Sequence, residues 1–486
     1  MNSDSVRPAV TELRLSAFKS HRGVTLPLTP LTLLSGGSGS GKSSALQAYE
    51  ILARLGSGEP LARAVGEVAG SPTACVPAGA RPDEQGRRGF RIGCTVDGPA
   101  GPVSLDLAVQ AEPELRIVGE RLTGGGETLL TTALTDPTRP AVQAAWHTAG
   151  ATPVTRAPLP DDRLGTSLLP LRVAGKTAGQ RLVLAAAEQV VVALRSAFVC
   201  DPRPEVMRGA RTGGNGAAAG EGGGSGTDAR GNVRGGGSGA GRGKQVSGPG
   251  KTGGPGGAGA AGGAAGAWGA GRKRSGGAGG AGGWGSEAGE QRDEGRLRSA
   301  CDNLPAVLHR TSRECARRHA VLVASVREAC AGPVEGLRAV PRQPGEPGEG
   351  AAAGPGAVAR GGSPGPRAGA VGAAGVRAVL DRGELGELPV EQLGDGELRF
   401  VALALVLLTG PGVLAMDPVG EVPSAHQQMT VMADGMDRCM DRRQARELVS
   451  LAVRMAERGH VRLLGTVRDP AVAEGLPGVQ VLHLEA

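Results

Sequence analysis

The chain has 486 residues with 85 Gly, 34 Pro and only 2% aromatics, so a core must be built from Leu, Val and Ala outside the Gly-rich stretches. Lys and Arg number 54 against 47 acidic residues, a net charge of +7. The segment 208–298 alone holds 13 basic and 6 acidic residues, so the remainder is neutral and does not read as a polyanion-binding surface. Seven cysteines with no CxxC pair argue against a zinc knuckle or a disulfide framework and fit a reducing compartment. The opening residues lack the basic-then-apolar layout of a signal peptide, and the most apolar run, 401–408, is too short to span a bilayer. The expectation is a soluble, cytoplasmic protein.

Residues 11–15 read as a short strand. Leu31–Ser35 reads as a second, nearly all apolar, as a strand buried on both faces should be. After a Gly-rich turn, residues 43–55 form a helix candidate with Ala45, Leu46, Tyr49, Leu52 and Ala53 at helical spacing. Residues 88–122 alternate in three runs separated by Gly/Pro turns, which predicts strands. Ala178–Arg195 reads as a helix and 197–200 as a short strand. Residues 208–298 are rich in Gly, Ala and Ser and cannot bury enough apolar surface to offset ordering entropy, which predicts a disordered insertion. Residues 304–331 have helical periodicity, and 341–375 form a shorter Gly/Pro linker. Residues 396–409 follow as a helix, 413–416 as a buried strand, 443–458 as an amphipathic helix, and Val461–Thr466 and 479–484 as the last strands. Strand–helix alternation on both sides of an insertion predicts one α/β P-loop domain with a mixed sheet and flanking helices, assembled from both ends of the chain. Its parts are an N-terminal lobe at 1–207, the insertion at 208–298, a helical segment at 299–340, the linker at 341–375 and a C-terminal lobe at 376–486.

The strongest chemical signal is GGSGSGKS at 36–43, a full match to G-x-x-x-x-G-K-[ST] between an apolar strand and an amphipathic helix. Glycines in such a loop let backbone N–H groups converge on phosphate oxygens, and the helix N-terminus adds its dipole. Gly36, Gly37, Ser38, Gly39, Ser40, Gly41, Lys42, Ser43 and Ser44 are therefore the candidate ATP-binding residues. Lys42 is the point charge for the β- and γ-phosphates, and Ser43 is a ligand for Mg²⁺. A second signal is Val413-Leu414-Ala415-Met416-Asp417, an apolar run ending in a carboxylate, which makes Asp417 the candidate second metal ligand and catalytic-site acid.

Segment 13–52, LRLSAFKSHRGVTLPLTPLTLLSGGSGSGKSSALQAYEIL, resembles the opening of the ABC-head-type ATPases related to RecF and SMC proteins, and more closely bacterial ATPases of the AAA type with an FKS turn, here Ala17-Phe18-Lys19-Ser20. LGDGELRFVALALVLL at 393–408 is similar to that family's LSDGxLRF signature helix, and VLAMDP to its Walker B strand. Asn303-Leu304-Pro305-Ala306-Val307-Leu308 resembles the family's NLAAVL segment. The resemblance implies a two-lobed head that pairs with a second copy of itself around ATP. The signature residues Gly394, Asp395 and Gly396 of one head would then close in trans on nucleotide held by the other.

Three departures from the family pattern stand out. Gly394 replaces the signature Ser. Asp417 runs directly into Pro418 without the Glu that polarises the attacking water, and Glu421 lies beyond Pro418 and Gly420. Thr466 is followed by Val467 and Arg468 rather than by His, with His460 and His426 as the alternatives. Positioning and charge stabilisation supply most of phosphoryl-transfer catalysis, so the expectation is a nucleotide-gated dimerising switch that binds ATP and turns it over slowly. The alternatives are a pseudo-ATPase acting as a regulatory or scaffolding module, and a nucleic-acid-associated protein in DNA maintenance or defence. The last would use the basic segment 208–298, whose ARGNVRGGGSGAGRGK run resembles Arg/Gly nucleic-acid tails in composition, although a solvated linker has the same composition. No long heptad run lies between the two halves, so a coiled-coil arm of SMC type is not expected.

Overall fold

The computed structural model describes residues 7–148, 154–209, 296–341, 375–410, 413–414 and 428–485. Strands β1 (Ala9–Phe18) and β2 (His21–Pro27) form a hairpin, and β3 (Leu31–Ser35) leads into helix α1 (Lys42–Gly56), followed by α2 (Leu61–Ala69). Strands β4 (Arg88–Asp97), β5 (Val103–Glu112), β6 (Arg116–Gly124), β7 (Glu127–Ala133), β8 (Ala141–His147) and β9 (Val154–Pro160) then add to the hairpin. The result is an eight-stranded sheet in the order β2-β1-β4-β5-β6-β7-β8-β9, with every pair antiparallel. The alternation seen in the sequence sets its register. Phe90, Ile92, Cys94 and Val96 lie opposite Val109, Leu107, Leu105 and Val103, and all eight face the core.

The short helix α3 (Gly165–Leu168) precedes α4 (Ala178–Arg195), which begins with a capping box between Thr177 and Gln180. Strand β10 (Ala197–Val199) and the short α5 (Pro204–Met207) close the N-terminal part. After the insertion come α6 (Leu304–Glu314), α7 (Ala316–Ala329) and a small antiparallel sheet of β11 (Gly336–Pro341), β12 (Val376–Asp381) and β13 (Glu387–Pro389). Helix α8 (Asp395–Leu408) is buried along nearly its whole length, in keeping with its unbroken apolar run. Strand β14 (Met429–Ala433), helix α9 (Arg442–Glu457), β15 (Val461–Thr466) and β16 (Gln480–His483) complete the chain.

A second sheet, wholly parallel, has the order β10-β14-β15-β3-β16. Its P-loop strand β3 lies between two strands from the far end of the chain, so both ends build one sheet. Both faces are covered. Leu34, Met432 and Leu464 point to a core shared with α1, α4 and the antiparallel sheet. Their neighbours Leu33, Val431 and Leu463 point to the opposite core with α8 and α9. Helix α1 is therefore gripped between the two sheets.

The expected α/β class with flanking helices is what the structure has, with parallel and antiparallel pairing divided between separate sheets. Two expectations change in detail. The helical periodicity of 304–331 belongs to two helices separated at Cys315, whose φ of −152° and ψ of 88° are extended. The strand expected at 413–416 is not part of either large sheet where it is described. Leu414 makes only an isolated parallel bridge to Leu297. The position in the sheet is taken by β14, which the sequence reading did not pick out. The insertion expected at 208–298 lies outside the described residues over 210–295. Among the described residues no helix is long and apolar enough to cross a membrane.

Candidate functional site

The loop at 36–43 runs from the C-terminal end of β3 into the first turn of α1. Two glycines are obligatory for its path. Gly36 has φ of 140°, and a Cβ there would collide with the Leu484 carbonyl and lie 2.8 Å from Ser40 Oγ. Gly41 is the N-cap of α1 with φ of 89°, and a Cβ there would strike the His21 ring and lie 2.7 Å from Ser20 Oγ. The FKS turn at the tip of the β1–β2 hairpin therefore buttresses the loop. His21 Nε2 sits 3.0 Å from the Gly41 carbonyl, and Lys19, itself in a left-handed conformation with φ of 51°, donates from Nζ to Gln47 Oε1 at 2.6 Å.

Lys42 Nζ donates to the loop's own carbonyls, Gly36 O at 2.7 Å and Gly37 O at 2.8 Å, and approaches Ser40 Oγ at 3.4 Å. Its ammonium thus lies over the cradle that the loop forms. Ser43 Oγ donates to Asp434 Oδ2 at 2.7 Å across 391 residues of sequence. Thr466 Oγ1 donates to Asp434 Oδ1 at 2.6 Å and accepts the Gly435 N–H at 2.7 Å. The ends of three adjacent parallel strands, β14, β15 and β3, thus converge on one carboxylate, and open α/β sheets place ligands at such C-terminal strand ends.

Beneath Asp434 lies Arg399, from the LRF part of α8. It is 3% exposed and donates to the carbonyls of Asp434 at 3.2 Å, Gly435 at 3.0 Å and Pro202. Asp201, 3.9 Å away, is its nearest carboxylate. The guanidinium clamps the turn that follows β14 to helix α8.

The P-loop and this turn face one another across a cleft of about 720 Å³, lined by Lys42, Asp434, Arg438, Cys439, Thr466 and Arg468 among others. The donor set suits a magnesium nucleotide. Ser43 and Asp434 offer hard oxygens, and no group of three or more His, Cys, Asp or Glu that could hold a metal occurs among the described residues, so phosphate and water oxygens would complete an octahedral shell, as Mg²⁺ prefers.

The sequence-derived site residues distribute as follows. Gly36, Gly37, Ser38, Gly39, Ser40, Gly41, Lys42, Ser43 and Ser44 form the loop and the first turn of α1. Asp417 lies outside the described residues, and the carboxylate at Ser43 is that of Asp434. The missed signal was MTVMAD at 429–434, a buried run ending in Asp that resembles VLAMD in pattern but contains a Thr. Gly394, Asp395 and Gly396 start α8 and are not among the residues lining the cleft. Gly396 packs so closely on the Cys439 carbonyl that a Cβ would overlap it. Arg208 holds the same turn, with an ion pair to Asp395 at 2.6 Å and a hydrogen bond to Leu393 O at 2.8 Å. His460 lies near Arg7 at the opposite end of β15 from Thr466, and Val467 and Arg468 occupy the positions after Thr466.

No family model and no curated protein matches the chain. Solved structures that resemble it include an Smc head bound to the C-winged helix domain of ScpA (TM-score 0.40, 10% identity, covering 96% of this chain and 90% of that one). Another is an Smc head with an extended coiled coil bound to the C-terminal domain of ScpA derived from Pyrococcus furiosus (TM-score 0.38, 9% identity, 96% and 91% covered). A third is the SMC head domain from Thermotoga maritima (TM-score 0.34, 10% identity, 96% and 91% covered). At such scores the likeness is remote, and the side-chain geometry of the cleft alone supports the reading below.

Proposed function

We propose that the chain binds ATP with Mg²⁺ in the cleft between the 36–43 loop and Asp434, as a nucleotide-gated head of ABC type that pairs with a second copy of itself. The observation that carries this reading is the Ser43–Asp434–Thr466 network at the mouth of a complete P-loop. Loop N–H groups and Lys42 bind the phosphate chain, with Lys42 leaving its carbonyl partners for the anion. Ser43 and Asp434 orient the metal, and Thr466 fixes the carboxylate rotamer. Bound Mg²⁺ would supply positive charge to the β- and γ-phosphate oxygens. Pairing is supported by the signature turn 393–397, whose Gly394 and Asp395 are exposed to solvent and do not line this chain's own cleft.

Turnover is proposed to be slow. The residue after Asp434 is Gly435, so the position at which the resembling family carries its water-orienting Glu has no side chain. Asp437 does not replace it, because its Oδ2 already accepts the backbone N–H groups of Arg468 at 2.7 Å and Asp469 at 2.9 Å. The same observation supports a non-hydrolysing switch as the second reading. Light scattering with Mg–ATP, Mg–ADP and no nucleotide, run beside a phosphate-release assay, tests both. The expected result is a doubling of mass in Mg–ATP alone with little release of phosphate. A monomer under all three conditions removes the pairing, and brisk turnover removes the slow-site reading.

A further inference from the structure

The cleft carries two cations that the P-loop reading does not use. Arg438 lies in the turn after β14 and Arg468 in the turn after β15, and both line the cleft that Lys42 faces. Both are exposed, and neither side chain makes an ion pair or hydrogen bond among the described residues. Among the described residues neither nearby carboxylate pairs with them, although Asp437 Oδ1 is buried without a partner. Asp434 is shared between Ser43 and Thr466, and Asp437 accepts from backbone N–H groups. Two unpaired guanidinium groups and an ammonium around one concavity repel one another and raise the local potential for an anion.

The turn that presents Arg438 is also held in place. Gly435 and Cys439 on either side of it have φ of 59° and 63°. Left-handed backbone at a non-glycine residue persists only where its surroundings impose it, and here the Cys439 carbonyl is pinned against Gly396 of α8 while Arg399 holds the Gly435 carbonyl. Arg468 is positioned through its own N–H on Asp437.

We infer that Arg438 and Arg468 together bind the terminal phosphate of the nucleotide and make the cleft selective for triphosphate over diphosphate. This deepens the proposed ATP site and rests on it. The P-loop and Lys42 approach the phosphate chain from one wall, and the two arginines stand on the loops of the facing wall. Each guanidinium can take a phosphate oxygen pair with its planar fork. In this chain they supply charge to the cleft where Val467 leaves the resembling family's imidazole absent.

The test is to measure Mg–ATP and Mg–ADP affinities of the full chain for wild type, Lys42→Ala, the double variant Arg438→Ala/Arg468→Ala and the charge-keeping Arg438→Lys/Arg468→Lys. Both arginines are exposed, so the double variants keep the fold, and an unchanged unfolding midpoint verifies this. In the double alanine variant ATP affinity is expected to fall on the order of tenfold or more, the scale of lost charge-assisted hydrogen bonds, while ADP affinity changes less than about twofold. The lysine pair is expected to recover part of the loss. Unchanged ATP affinity, or an equal fall for both nucleotides, overturns the inference while leaving the P-loop reading intact, provided Lys42→Ala still abolishes binding. A wild type that binds neither nucleotide overturns both.

Discussion

Asp434 is placed in the proposed site by two contacts from distant segments rather than by its own sequence neighbourhood. Its two oxygens are divided between Ser43 and Thr466, so the rotamer is fixed before any metal arrives. Replacing it by Asn keeps the shape and removes the charge. Asp434→Asn is expected to lower Mg–ATP affinity on the order of tenfold or more, since hydrogen bonds and contacts to charged groups contribute about 1.5–3 kcal/mol each, and to flatten the dependence of affinity on Mg²⁺. Asp417→Asn is expected to leave both within about twofold, where twofold is well under the 1.4 kcal/mol of a tenfold change. Titrations of the two variants side by side check the assignment, and the opposite ranking would return it to Asp417. The P-loop was legible in the sequence because its demands are local: glycines at fixed positions for positive φ, then Lys and Ser. The acidic partner was not, because MTVMAD and VLAMD satisfy the same local pattern. Which run pairs with β15 is decided by contacts over hundreds of residues, including the parallel register of Met429–Ala433 on Val461–Gly465.

At the scale of elements, the buried side chain of Arg399 joins helix α8 to the turn that lines the proposed nucleotide cleft. Arg399→Ala would strip donors from the carbonyls of Pro202, Asp434 and Gly435 and leave a void beneath the cleft. The expected cost is about 2–4 kcal/mol of unfolding free energy, together with weaker ATP binding, because the Asp434–Gly435 turn loses its anchor. Urea unfolding with and without Mg–ATP measures both effects. A cost near zero would show that the clamp is idle.

The antiparallel sheet has its own buried charge site. Glu120, on β6, accepts the N–H groups of Gly165 and Thr166 at 2.7 Å each and the Thr166 hydroxyl, so it caps α3 from below. Burial is the largest influence and raises its pKa above the usual 4.5, against the opposing effect of those donors. A raised folded pKa means that the stability conferred by protonation is complete below the unfolded value of 4.5 and is lost as pH rises through the folded value. Wild type is therefore expected to lose more unfolding free energy than Glu120→Gln on going from pH 4.5 to neutrality. Parallel curves for the two proteins would contradict this. The strands of this sheet over 88–122 were legible from alternation, whereas β2 and β7 were not picked out, and β8 and β9 carry Ala, Thr, Arg and Pro and offer little periodic signal.

At the scale of the whole chain, β3 is bordered by β15 and β16, so the P-loop is built on a sheet that exists only when the C-terminal segment has joined it. Leu484 closes this arrangement, its carbonyl packed closely against Gly36 and its N–H donating to Ser35 O at 2.8 Å. Strand–helix alternation on both sides of the Gly-rich stretch predicted that both ends build one domain. It held no information on strand order, which depends on pairing partners that no local window contains. Nucleotide bound between the P-loop and the β14–β15 turns would bridge segments from both ends of the sequence and stabilise their union.

The most direct measurement is a calorimetric titration of Mg–ATP into the full chain, wild type beside Lys42→Ala. The expected result is saturable binding of one nucleotide per chain in wild type, and a fall of at least about tenfold, or 1.4 kcal/mol, in the variant. A wild type without binding heat at millimolar ATP, or a variant that binds as tightly as wild type, would contradict the assignment of this cleft as a nucleotide site.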